Sequence, residues 1–350
     1  MTWNSNIVNR FLTAADKYPG RNAITETTGN ITYGKLKERV SEYAGYLKAS
    51  GIQTGDRVLV FLPISIELYV TVLAIFQIGA VAVFLDPWSG WKRLKASAEL
   101  ADCKALVAGW KIRLLMRFMP VFRSIHLKLG PGRKESPLRD TCFCEPDDQA
   151  LITFTTGSSG TPKAANRTHG FLQSQLNALE DEVPFWEDDV LLTNLPVFVL
   201  VGLARGTTVV LPDYNARKPT NMKPEKVQKQ ITEASVRTLI TSPDFAGRLA
   251  EEGPYTVQRL FTGGAPVFPP LAQKLGKAFK EAKIIVAYGS TEAEPISSLT
   301  AEELLEEQLI SGGLPAGKPY SKCEVKIIGW RDETLQPDRE AFQDLCLPEG

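Results

Sequence analysis

"RVLVFLPISIELYVTVLAIFQIGAVAVFL", residues 57–85, is the stretch whose reading decides the fold. Its later part, 68–85, is long and apolar enough to pose the question of a membrane span. Gly79 divides the run. Ser65 and Glu67 mark a helix start, and Gly79 suits that helix's C-cap. The β-branched "AVAVFL" (80–85) then reads as a buried strand that ends at Asp86 and Pro87. With "RVLVFL" (57–62) in front, the stretch is one β-α-β unit, and its uninterrupted apolar strands suit a parallel sheet covered on both faces.

The same rhythm extends in both directions. Upstream, "AITETTGNITY" predicts a hairpin around Thr28, Gly29 and Asn30, followed by a helix from Tyr33 to Ser50 that stops at Gly51. Downstream, strands are predicted at "KALVAG" (104–109), "ALITFT" (150–155), "TTVVL" (207–211), "RTLITS" (237–242), "RLFTGG" (259–264) and "KIIVAYG" (283–289), with a helix from Thr168. The expected architecture is α/β, with two layered subdomains whose mostly parallel sheets are covered by helices. The polar "LRDTCFCEPDDQ" (138–149) is the expected seam, giving a first subdomain at 1–149 and a second at 150–350.

The 350 residues carry forty basic and forty acidic side chains, so no global field recruits nucleic acid or an anionic membrane. The five scattered cysteines and an N-terminus without a signal-peptide core predict a cytoplasmic protein. Cys142 and Cys144 resemble half a metal site without a second half, and free thiols are the expectation. The basic excess over 111–139 reads as a solvated face, with an acidic partner as the alternative.

"TTGSSGTPK" (155–163) has little to bury, while its backbone N–H groups, hydroxyls and ammonium suit one anion. A P-loop NTPase would need glycine before the lysine and a hydroxyl after it, but Pro162 and Ala164 stand there. A serine-hydrolase elbow would need G-x-S-x-G, and Ser159 is followed directly by Gly160. A flexible polyphosphate cradle remains, alongside a plain surface loop.

From Thr155 to His169 the sequence closely resembles the phosphate loop of the AMP-forming acyl-CoA synthetase, adenylation-domain and luciferase superfamily, with one mismatch at Ala164, where that family usually has glycine. "AIFQIGAVAVFLDP", "LFTGGAPVFPPL", "AYGSTEAEP" and "GGLPAGKPYSKCEVKII" resemble further blocks of the same superfamily, in its order and along nearly the whole chain. The resemblance implies ATP-dependent activation of a carboxylate to an acyl adenylate with release of pyrophosphate, then acyl transfer to a thiol. It implies ATP, Mg²⁺ and CoA as cofactors and a small-molecule carboxylic acid as partner.

Carried over residue by residue, Lys163 and the loop of Thr155, Thr156, Gly157, Ser158, Ser159, Gly160 and Thr161 hold the β- and γ-phosphates. Thr291 contacts the α-phosphate beside Ser290, and Glu292 helps bind Mg²⁺. Tyr288 packs on adenine, Gly264, Ala265 and Pro266 line the base pocket, and Gly289 lies near the acyl group. Taken singly, Tyr288 also reads as a core aromatic, Glu292 as an exposed helix-start acid and Lys163 as a solvated charge. "TNLPVFVLVGLARGTTVVL" resembles the substrate segment, with Val199 where many members have histidine or an aromatic residue; Phe198 and Val199 are then pocket residues. Its apolar character favours an acyl or other hydrophobic tail, and a plain buried strand also explains it.

The chain ends at "LCLPEG", where the superfamily continues into a β-subdomain, a hinge and a small domain with a catalytic lysine. The expectation is a truncated large domain, with weak ATP binding and little adenylation alone. Three functions follow: an acyl-CoA synthetase of fatty acid metabolism, a β-lactone synthetase of the olefin type acting on β-hydroxy acids, and a noncatalytic nucleotide-binding module. "FTTGSSGTPKAANRTHGFL" with "STEAEPIS" resembles the second group as well as the first.

Overall fold

The computed structural model describes residues 4–85, 90–123, 125–156, 162–183, 186–215, 219–290, 292–306, 313–328 and 346. In chain order its elements begin α1 (Val8–Lys17), β1 (Asn22–Glu26), β2 (Gly29–Thr32), α2 (Tyr33–Ala49), β3 (Arg57–Phe61), α3 (Ile66–Gln77) and β4 (Val81–Phe84). Then come α4 (Trp91–Ala101), β5 (Ala105–Ala108), α5 (Trp110–Phe118), β6 (Leu127–Leu129), β7 (Gln149–Thr156), β8 (Pro162–Thr168) and α6 (His169–Glu182). The remainder are β9 (Val190–Thr193), α7 (Pro196–Arg205), β10 (Thr208–Val210), α8 (Pro224–Glu233), β11 (Thr238–Thr241), α9 (Pro243–Leu249), β12 (Arg259–Gly263), α10 (Pro269–Ala278), β13 (Lys283–Tyr288), β14 (Ser297–Thr300), α11 (Ala301–Glu306) and β15 (Lys318–Pro319).

Residues 57–85 form the expected β3-α3-β4 unit. The Ser65 side chain accepts from Leu68 N–H to cap α3, and Gly79 takes a φ of +69° just past its end. All of α3 except Glu67 is buried, because the helix lies between two sheets rather than against one. No described helix is long and apolar enough to cross a membrane.

A six-stranded sheet runs β6-β5-β3-β4-β7-β8, parallel except for β8. A nine-stranded sheet runs β15-β14-β13-β12-β11-β9-β10-β1-β2, parallel from β13 to β1 and antiparallel at both edges. Helices α1, α2, α3, α6 and α7 share one core with the facing sides of both sheets. Helices α4 and α5 cover the outer face of the smaller sheet, and α8 to α11 that of the larger.

The sheets do not divide the chain at residue 150. The β1-β2 hairpin joins the larger sheet through β10, and β7-β8 closes the smaller one beside β4. Pairing is the reason: β1 lies parallel to β10, and Leu151 pairs with Ala82 of β4.

Two further readings change. Residues 162–168 form strand β8, paired with β7 from Gln149↔Thr168 to Thr156↔Pro162. The segment 196–205, open to a buried-strand reading, is helix α7. Pro196 occupies its first turn, where a missing N–H costs nothing, and Gly206 ends it at a φ of +76°.

Candidate active site

A cavity of about 510 Å³ lies between the sheets. It opens where β12 ends at Gly263 and Gly264 and where β13 ends at Tyr288 and Gly289. The carboxyl ends of parallel strands are the usual ligand crevice of open α/β sheets. Away from those ends its wall is apolar, formed by Leu68 and Val72 of α3, Leu172 and Leu179 of α6, and Phe198 and Leu200 of α7. Tyr69 of α3 donates its hydroxyl proton to the Pro196 carbonyl at 3.3 Å, fixing α3 against α7 along this wall.

Among the sequence-predicted residues, Gly264, Tyr288, Gly289 and Phe198 line this one cavity. Tyr288 is 55% exposed, so it does not cap the core. Gly264 takes a φ of +83°, and a Cβ there would meet no atom within 4 Å, which leaves open space at the end of β12. Ala265 and Pro266 are exposed beside it. Ser290 closes a tight turn: its N–H donates to the Ala293 carbonyl at 2.7 Å, and its Oγ accepts from Ala293 N–H at 3.2 Å. Val199 faces away from the cavity and is buried in the shared core.

Lys163 is exposed on β8, opposite Thr155 in the hairpin register. Thr156 pairs with Pro162 at the end of the same ladder. Gly157, Ser158, Ser159, Gly160, Thr161 and Thr291 lie outside the described residues. Glu292 is exposed.

The cavity wall also holds polar residues that the sequence reading passed over. Arg167 stands four residues along β8 from Lys163, so the two share a strand face. Burial lowers the Arg167 pKa, opposed by attraction to Glu294 and Glu292. Arg167 of β8 and Glu294, after the end of β13, both line the cavity. Glu294 accepts a hydrogen bond from Gln175 Nε2 at 3.2 Å, and burial raises its pKa above the ordinary glutamate value against the pull of Arg167. Arg167 Nη1 lies 3.5 Å from Thr153 Oγ1, and Ser298 Oγ donates to Glu182 at 3.2 Å. Thr262, only 2% exposed, lines the wall with a hydroxyl that has no hydrogen-bond partner among the described residues. The one signal available for Arg167 was its alternate position in a strand not recognised as one.

Residues 11–343 match the AMP-binding enzyme family. Over 340 residues the chain is 28% identical to an olefin β-lactone synthetase of Xanthomonas campestris pv. campestris, covering 90% of this chain and 61% of that protein. It is 26% identical over 320 residues to a 2-succinylbenzoate–CoA ligase of Bacillus cereus, covering 88% of this chain and 63% of the relative. The chain thus spans less than two thirds of either relative. The crystal structure of ATP-bound MatB from Rhodopseudomonas palustris superposes with a TM-score of 0.75 at 26% identity, covering 91% of this chain and 65% of that one. A family match over nearly its whole length, on a fold whose strand ends open into one cavity, makes this chain a member of the AMP-binding enzyme family.

Proposed function

We propose that this chain carries the acid and nucleotide sites of an adenylate-forming ligase whose substrate is a carboxylic acid with a hydrophobic tail. The observation that carries the reading is the apolar cavity running inward from Tyr288 and Gly289 between α3, α6 and α7. Its volume of about 510 Å³ lies within the range of small-molecule sites. An acid bound tail-inward would leave its carboxylate at Gly289, next to the nucleotide.

The residues present fit ATP and Mg²⁺. The exposed ring of Tyr288 offers a stacking face to adenine, and the open space at Gly264 leaves room for the base. Lys163 and the loop from Thr155 to Thr161 would neutralise the β- and γ-phosphates, Thr291 would meet the α-phosphate, and Glu292 would give Mg²⁺ one accessible carboxylate. Mg²⁺ commonly takes one or two carboxylates together with phosphate oxygens, so a single glutamate suffices. The group supplies charge neutralisation, which lets one anion attack another.

The acyl acceptor is CoA by analogy with the 2-succinylbenzoate–CoA ligase. The similarity to olefin β-lactone synthetases supports a second reading, in which a β-hydroxy acyl adenylate closes a ring without a thiol. Dependence of turnover on CoA separates the two.

Titration calorimetry of the chain with hexanoate, octanoate, decanoate and dodecanoate tests the cavity assignment. Each added CH₂ buried in the cavity contributes about 0.8 kcal/mol, or roughly a fourfold gain in affinity, until the cavity is full. Affinity independent of tail length would overturn the reading.

A further inference from the structure

We propose that helix α5, on the outer face of the smaller sheet, docks on the surface of an anionic lipid bilayer. The exposed side of α5 is apolar where a solvated helix would be polar. Trp110, Leu114 and Phe118 follow one another at i, i+4 and i+8, with Leu115 beside them, and all four are more than half exposed. The other side of the helix packs inward: Met116 is buried and Ile112 rests on the outer core of the smaller sheet. Scattered exposed apolar side chains are ordinary, but a helix that gathers its tryptophan, phenylalanine and leucines on its exposed side presents a face to be covered.

Charge identifies what covers it. The chain as a whole is neutral, yet residues 91–129, which hold α4 and α5, carry nine basic residues against Glu99 and Asp102 alone. Helix α5 itself contains Lys111, Arg113 and Arg117 and no acid. Lys111 and Arg123 are exposed, and Lys111 Nζ lies 5.5 Å from the Trp110 ring centroid. An aromatic ring with an ammonium beside it suits the boundary between acyl chains and headgroups, where one end is apolar and the other wet. The later part of the basic stretch is turned elsewhere, since Lys134 pairs with Glu42 of α2 and Leu138 N–H donates to the Ser41 carbonyl at 3.1 Å.

A second copy of the chain is the poorer fit, because a two-fold contact through this face would set one basic surface against an identical one. Anionic headgroups supply the opposite charge, and the acyl boundary beneath them takes the apolar side chains. With nine residues α5 is too short to cross a bilayer and would lie in its headgroup layer.

The test is co-sedimentation of the 350-residue chain with vesicles of phosphatidylcholine alone and of phosphatidylcholine with about one third phosphatidylglycerol. The anionic vesicles should hold the chain at least about tenfold more tightly, and about 0.5 M salt should remove most of that difference. Trp110→Ser/Leu114→Ser/Phe118→Ser should weaken binding to the anionic vesicles by about tenfold or more. The same variant should keep its melting temperature and its binding of MgATP, since the three side chains are exposed and none lines the cavity. Lys111→Glu/Arg123→Glu keeps the apolar side and should also weaken binding to the anionic vesicles. Equal binding of wild type to both vesicle types, binding to neither, or anionic binding that the serine variant retains in full would overturn the proposal and leave the acid-site reading untouched. A dimer that the serine variant disperses, seen by sedimentation velocity without vesicle binding, would overturn it in favour of a second copy. Binding to polyglutamate but to neither vesicle would overturn it in favour of an acidic protein.

Discussion

Lowering the pH from 7.5 to 5.0 should cost the folded chain about 2 kcal/mol through His169 alone. His169 opens α6 directly after the β8 hairpin and is fully buried. Its Nδ1 accepts from Ile7 N–H at 3.1 Å, which leaves the ring proton on Nε2, a buried atom with no partner among the described residues. The ring meets Phe76 edge-on at 6.1 Å. A second proton would have to displace the Ile7 hydrogen bond and place a charge in this apolar contact. Burial accordingly lowers the imidazole pKa from 6.5 to about 4, against a weaker attraction from Asp148.

The sign follows from which state takes the proton first. Between pH 6.5 and 4 the unfolded chain binds a proton at this position and the folded chain does not, so stability falls as the pH drops. A shift of this size is worth about 3 kcal/mol when fully expressed below pH 4, and about 2 kcal/mol of it is lost by pH 5. Urea unfolding at pH 7.5 and 5.0, compared between wild type and His169→Asn, isolates the contribution from every other titrating group. The asparagine Oδ1 still accepts from Ile7 N–H but does not titrate, and its packing deficit is the same at both pH values. The variant should lose about 2 kcal/mol less than wild type on acidification. Equal pH dependence in the two proteins would refute the assignment of a buried neutral imidazole.

Lys163→Met should weaken MgATP binding by about tenfold or more while leaving the melting temperature within a degree or so, because the side chain is exposed and its proposed work is to meet phosphate; calorimetry alongside a thermal melt checks both halves. Gly263→Ala should destabilise the fold by about 1–3 kcal/mol and weaken decanoate binding with it, since the new Cβ would lie 2.5 Å from the Ala287 carbonyl oxygen and force β12 from β13 under the cavity floor; unfolding midpoints and an acid titration of the variant report the two effects.

The elements that the sequence disclosed are those whose boundaries are chemical. Ser65, Thr168 and Gly79 each do at the helix end what their side chain, or its absence, equips them to do, so α3, α6 and β4 stand where they were expected. Strand β8 was hidden because Ala164, Ala165 and Asn166 have weak strand preference and follow a glycine- and hydroxyl-rich loop. Its strand character comes from pairing with β7 along nearly its full length, a tertiary term. Helix α7 was obscured in the opposite way: its valines favour a strand, but a position between two sheets rewards an all-round apolar helix, and Pro196 and Gly206 bracket it. The glycines and tyrosine at the strand ends were visible through their motifs. Arg167, Thr262 and Glu294 were not, since nothing local distinguishes a charged or hydroxyl residue that a distant segment will bury.

The exchange of hairpins between the sheets bears on how such a site works. A chain divided at residue 150 could open as two bodies about a hinge, and its cavity would take its shape only on closure. Here β1 and β2 lie in the same sheet as β9 to β15, β7 and β8 close the sheet of β3 to β6, and one core joins the inner faces of both. Opening between the halves would break the β1-β10 and β4-β7 ladders and expose that core. The apolar wall of α3, α6 and α7 is therefore built before any acid arrives, and binding does not bear the cost of assembling it.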